Sequence, residues 1–93
     1  MQTIWKFPLA VTDTQIIEVP KHADILCAKV QRDVVCLWIK VNPDTIKEAR
    51  IIRMFGTGHA LDIDQNLEYI GSCQTLDENL IWHIFEEKHI PRA

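Results

Sequence analysis

The chain has 93 residues, 47% of them hydrophobic and 25% charged, with a net charge of −3. That length holds one core, so residues 1–93 read as a single domain. The acidic balance and the scattering of the ten Lys and Arg exclude a phosphate-backbone binder, which needs a basic face, so no nucleic-acid partner is expected. No apolar run approaches the roughly 18 residues that cross a bilayer, so no membrane partner is expected either.

Short runs rich in β-branched and aromatic residues recur along the chain, divided by Pro, Gly, Asp and Asn. The opening Met1-Gln2-Thr3-Ile4-Trp5-Lys6 leads straight into such a run and does not read as a secretory leader. In Thr3 to Leu9, the residues Trp5, Phe7 and Leu9 alternate with Ile4, Lys6 and Pro8, so the aromatic set faces the core. Pro8 cannot donate to a ladder, which makes this an edge strand or marks its end. Gln15 to Val19 is a second strand, stopped by Pro20. In Ile25 to Gln31, period two places Leu26, Ala28 and Val30 on one face.

Gln31-Arg32-Asp33 is a tight connection, so the third run forms a hairpin with the fourth, Val34 to Val41. The fourth run is apolar on both faces, with Leu37, Ile39 and Val41 on one and Cys36 and Trp38 on the other. A strand of that kind sits at the centre of a sandwich or barrel, or beneath a partner subunit. The stretch Pro43 to Ala49 has helical character and predicts one short helical turn. Arg50 to Phe55 then runs into Gly56-Thr57-Gly58-His59, and the acidic segment Ala60 to Leu67 is expected to be the most mobile part. Glu68 to Thr75 and Leu80 to Glu86 read as a second hairpin, and the tail after Glu86 as a fraying end. Seven short strands predict an all-β fold, a small antiparallel sandwich or a partly open barrel. Apolar bulk on both faces of two strands predicts a homo-oligomer that buries one of them.

Three cysteines, Cys27, Cys36 and Cys73, all lie inside strand-like runs and read as reduced, buried thiols of a cytoplasmic protein. Gly56-Thr57-Gly58-His59 is the most motif-like stretch. It reads either as a strand-ending turn with positive φ or as a ligand-contacting loop whose N–H groups meet an anion. It lacks the Gly-Lys-Ser/Thr ending of a phosphate loop and the third glycine of a dinucleotide fingerprint. His22, His59, His83 and His89 form no paired ligand spacing with the cysteines, so neither a metal nor a cofactor is expected. A nucleophile pair of Cys73 with His59 or His83 competes with an inert buried thiol. Acid–base carboxylates from Glu86, Glu87, Asp62 and Asp64 compete with solvated charges. The constellation that points to binding is Arg50, Arg53 and Lys40 beside Trp38 or Trp82, next to Gly56, Thr57, Gly58 and His59. Aromatic stacking joined to Arg contacts is how a nucleobase and its phosphate are held.

Several stretches, in order along nearly the whole chain, carry a resemblance. They are Thr3-Ile4-Trp5-Lys6, the run from Ile25-Leu26 to Val30-Gln31, Cys36-Leu37-Trp38, Gly56-Thr57-Gly58-His59, Tyr69-Ile70-Gly71 and His83-Ile84-Phe85-Glu86. The sequence resembles a small family of uncharacterised phage and prophage proteins. Members carry a Gly-rich turn before the last strand, where this chain has Asp77-Glu78-Asn79. The resemblance implies a context, a small protein made inside an infected or lysogenic bacterium, and no particular activity. The resulting expectation is a non-enzymatic oligomer that binds a host factor, such as a defence protein, or sequesters a nucleotide-derived signal at a subunit interface. The alternatives are a protein–protein module without a small ligand, and a nucleotide hydrolase using His59 or His83 with a carboxylate.

Overall fold

A computed structural model describes residues 1–61, 66–76 and 79–88. Seven strands follow the chain: β1 (Thr3–Pro8), β2 (Thr14–Pro20), β3 (Asp24–Gln31), β4 (Val34–Val41), β5 (Lys47–Gly56), β6 (Leu67–Thr75) and β7 (Leu80–Glu87). They form two antiparallel sheets, ordered β1-β4-β3 and β2-β5-β7-β6, which stack as a sandwich and do not close into a barrel. The expected hairpins β3–β4 and β6–β7 are both present. Arg32 and Asp33 both have positive φ (52° and 62°), the primed-turn geometry whose twist matches that of the flanking strands.

The expected helical turn is absent, since no residue among those described is helical. Instead the Asn42 carbonyl accepts from the Thr45 N–H (3.1 Å), and its side-chain oxygen accepts from the Asp44 N–H (3.0 Å). That local pairing closes a turn. Lys47, Glu48 and Ala49 then pair with Pro20, Val19 and Glu18 of β2. A Lys-Glu-Ala triplet favours a helix on its own, but a nucleus this short cannot compete with a ready sheet edge.

One buried cluster joins the sheets: Val35, Leu37, Ile39 and Val41 of β4 meet Ile52 and Met54 of β5, Ile84 of β7, Val19 of β2 and Cys73 of β6. Each buried aliphatic side chain contributes about 1.5–3 kcal/mol, so this layer carries the stability. Trp5 and Phe7 pack against it from β1 as period two predicts, and Leu9 is buried. Period two fails in β3. A bulge between Ile25 and Cys27 shifts the register, so Ile25, Ala28 and Val30 face the core and Leu26 is 49% exposed. A second bulge, between Tyr69 and Gly71, bends β6 so that Gly71 lies against Ala28 of β3, where an added Cβ would sit 3.6 Å from the Ala28 Cβ. The sheets are therefore closest along β3 and β6.

The apolar bulk of β4 and β7 is covered mostly within one chain. Cys36 on the outer face of β4 is buried beside Pro8, its cross-strand neighbour, and Trp38 is half-buried. Phe85 on the outer face of β7 meets Phe55 and Tyr69 edge-on, with ring centroids 5.8 and 5.5 Å apart. Val34, Leu80 and Ile81 on these two strands stay exposed, at 41%, 39% and 39%. The expected mobility of the segment after Ala60 falls mainly on residues 62–65, and that of the tail on residues 89–93, both outside the described residues.

Candidate functional site: a cleft at the glycine turn

Following β5 and β7 along their inner faces, the chemistry changes in three steps. Arg50 and Glu86 lie at one end, Ile52, Met54 and Ile84 in the middle, and Gly56 opposite Trp82 at the other. The Gly56 end opens into a cleft of about 340 Å³. Gly56, Thr57 and His59 line it from the turn after β5, and Asn79, Leu80, Ile81 and Trp82 line it from the start of β7.

The turn is shaped by its own side chains. The Gly56 N–H donates to His59 Nδ1 at 3.0 Å, and the His59 N–H donates to the Gly56 carbonyl at 3.1 Å. The imidazole thereby lies over Gly56, where a Cβ would come within 3.0 Å of its Cε1. Gly58 turns the chain at φ 90°, a conformation that L side chains rarely adopt. The strand-ending reading of this motif is therefore sufficient for both glycines. An Nδ1 that accepts leaves the hydrogen of the neutral ring on Nε2, which has no hydrogen-bond partner among the described residues. Trp82 is fixed too, its indole N–H donating to Thr75 Oγ1 at 3.0 Å.

Thr57 links the turn to the outer face of its sheet. Its Oγ1 lies 2.9 Å from His83 Nε2, His83 Nδ1 lies 2.9 Å from Ser72 Oγ, and Ser72 Oγ lies 2.8 Å from the Tyr69 hydroxyl. His83 thus has hydroxyls on both ring nitrogens. A neutral imidazole donates to one and accepts from the other, so the row fixes the ring and holds Thr57 in place.

The residues expected to form one pocket are distributed over four places. Gly56, Thr57, His59 and Trp82 share the cleft, with Gly58 at the apex of the turn. Arg50 faces inward at the far end, where it forks onto Glu86 (Nη2 to Oε1 2.8 Å) and donates Nη1 to the Ala23 carbonyl at 2.9 Å. Arg53 is on the outer face of the same sheet, 5.1 Å from the Phe55 ring centroid and bonded to Glu87 (3.0 Å) and the Asp13 carbonyl (3.1 Å). Trp38 and Lys40 are in the other sheet, where Trp38 lies opposite Lys6 and Lys40 is paired with Asp24 at 3.4 Å. The three-residue spacing of Arg50 and Arg53 already places them on opposite faces of one strand. Sequence reasoning missed Asn79, Leu80 and Ile81, whose place beside the glycine turn follows only from the register Gly56↔Trp82.

A larger hollow of about 490 Å³ flanks the Arg50–Glu86 pair. Every Asp, Glu, Lys and Arg that lines it has a charged partner: Arg50 with Glu86 and Glu48, Lys88 with Glu86, Asp24 with Lys40, and Glu87 with Arg53. Burial pushes the Glu86 carboxyl up, but the hydrogen bonds and charges of Arg50 and Lys88 outweigh it and hold the group below the usual carboxylate range. The same hydrogen bond raises Arg50 despite its burial. This hollow is a clamp, with its charges spent internally.

A family model, Domain of unknown function (DUF7352), matches residues 1–92. The chain belongs to the DUF7352 family. No curated protein and no solved structure matches it. The family's description assigns no chemistry, so the reading of the site rests on geometry. Among the described residues no cluster of His, Cys, Asp and Glu could hold a metal ion, and no helix is long and apolar enough to cross a membrane. Burial pushes the Cys73 thiol up, and Cys27 and Cys36 nearby add to the shift, which disfavours the thiolate a nucleophile needs.

Proposed function

We propose that this protein is a non-enzymatic binding protein of phage or prophage origin that acts in the bacterial cytoplasm by capturing a nucleotide-derived host signal in the cleft at the glycine turn. The observation that carries the reading is that Gly56, Thr57, His59 and Trp82, drawn from two separate strands, line one concavity. Its walls are preorganised, since the His59 and Trp82 rings are each fixed by a hydrogen bond before any ligand arrives. The absence of turnover in this proposal is supported by the commitment of Nδ1 of His59 to Gly56 and of both nitrogens of His83 to hydroxyls. Among the described residues no carboxylate bonds to either ring, as one does to the general base of a triad.

A thermal-shift screen with cyclic nucleotides and ADP-ribose derivatives, followed by product analysis, tests the proposal. A shift without turnover is expected. Turnover would make the protein a hydrolase, and a flat response would remove the small-ligand reading. A protein–protein module is the second reading, favoured by Leu76, Leu80 and Ile81, which are 56%, 39% and 39% exposed around the same end. A homo-oligomer remains a separate proposal. It is supported by Ile4 and Leu26, 56% and 49% exposed on the three-stranded sheet, and light scattering on a sizing column decides it.

A further inference from the structure

The cleft holds groups of a definite kind. Indole N–H and Thr75 are already bonded to each other, so Trp82 has only ring surface to offer a ligand. Leu80 and Ile81 supply aliphatic walls. Asn79, also at the lining, carries a carboxamide, with donor and acceptor side by side, and His59 carries an Nε2–H without a partner among the described residues. Among the described lining residues there is no Lys, Arg, Asp or Glu. The arginines that could have met a phosphate are held elsewhere, Arg50 by Glu86 and Arg53 by Glu87.

We infer that the cleft recognises the uncharged, planar base of its ligand and not the phosphate. A flat ring stacks on an indole face whatever its charge. An adjoining donor–acceptor pair such as a carboxamide matches the edge of a base, and one further N–H reaches a second acceptor. A cleft of about 340 Å³ lies at the small end of ligand sites, which suits a mononucleoside. This inference rests on the proposed function and narrows it, since a ligand held this way is selected by its base, with its phosphates left in solvent.

The test is a tryptophan-fluorescence and calorimetric titration of the full chain with adenosine, guanosine, cytidine and uridine, each beside its 5′-monophosphate. At least one nucleoside is expected to bind, with its monophosphate differing by less than the roughly tenfold or more that a charge-assisted contact adds. Asn79→Asp and Ile81→Glu alter exposed positions, so both variants are expected to keep the parent melting temperature and to weaken binding by about tenfold. A monophosphate that binds more than tenfold tighter than its nucleoside, with the gain lost in Ile81→Glu, would overturn the inference and leave the cleft as the ligand site. Binding that neither variant changes would overturn both the inference and the cleft. No binding by any of the eight compounds would also overturn the inference, and the protein–protein reading would then be the one to pursue.

Discussion

The two ends of the inner face of β5 and β7 solve the same problem differently. A small sandwich must close its core against water at each end. Beside Ala23 it does so with a buried ion pair, Arg50 and Glu86, reinforced by Lys88 at 3.1 Å from Glu86. At the glycine turn it leaves an open cleft whose rings are held by single neutral hydrogen bonds. Charges that are buried and mutually saturated stabilise a closed end, because removing either partner leaves the other uncompensated. Rings that are positioned but still have an unused face or N–H leave an end available for a ligand. The larger hollow is therefore the less attractive candidate of the two, its lining charges being already paired with one another.

Five variants press on that contrast. Glu86→Ala is expected to be the most damaging, costing about 3 kcal/mol in urea denaturation, because the largely buried Arg50 would lose its main partner and keep only Glu48 at 3.9 Å and the Ala23 carbonyl. Adding Arg50→Leu is expected to restore most of the loss. If the double variant is no better than the single one, the charge is not what the end depends on. Acid works on the same pair. The folded-state pKa of Glu86 is depressed, so its contribution is fully present above the unfolded glutamate value of about 4.3 and is lost as pH falls through the folded value. Stability measured against pH is expected to decline below that point in the parent protein and to flatten in Glu86→Gln.

Effects at the glycine turn are expected to be smaller. Gly58→Ala meets open space, so its cost is purely that of holding φ 90° with a Cβ, about 1–2 kcal/mol. A neutral result in a thermal melt would show that the turn relaxes freely. Thr57→Val removes the hydrogen bond to His83 and is expected to cost about 0.5–1 kcal/mol. A loss as large as that of Glu86→Ala would show that the two ends are equally rigid and would erase the distinction.

The strands were legible because their punctuation is chemical: Pro20, the Arg32-Asp33 pair and Gly56 end elements for local reasons that a reader of sequence can see. The bulges were not. Ile25, Leu26 and Cys27 carry no mark that one of them is extra, and the choice of Ile25 over Leu26 for the core is made by β4, not by β3 itself. The helical turn failed for a related reason, since Lys47 to Ala49 answer to β2 across the sheet. Of the candidate site, the glycine turn could be read and its partner Trp82 could only be guessed. Arg50 looked like a ligand group because Glu86, its partner across β7, lies 36 residues away.

The order of pairing also governs how the chain is made. β1 and β2 are neighbours in sequence but belong to opposite sheets, and they wait for partners that come much later, Thr3 for Val41 and Thr14 for Arg53. During synthesis, two greasy ribbons therefore leave the ribosome with nothing to zip against, while the β3–β4 hairpin is the first piece able to close. Trp5, Phe7 and Ile17 thus have no core to pack against until β4 and β5 are made, the late closure that non-local strand pairing imposes.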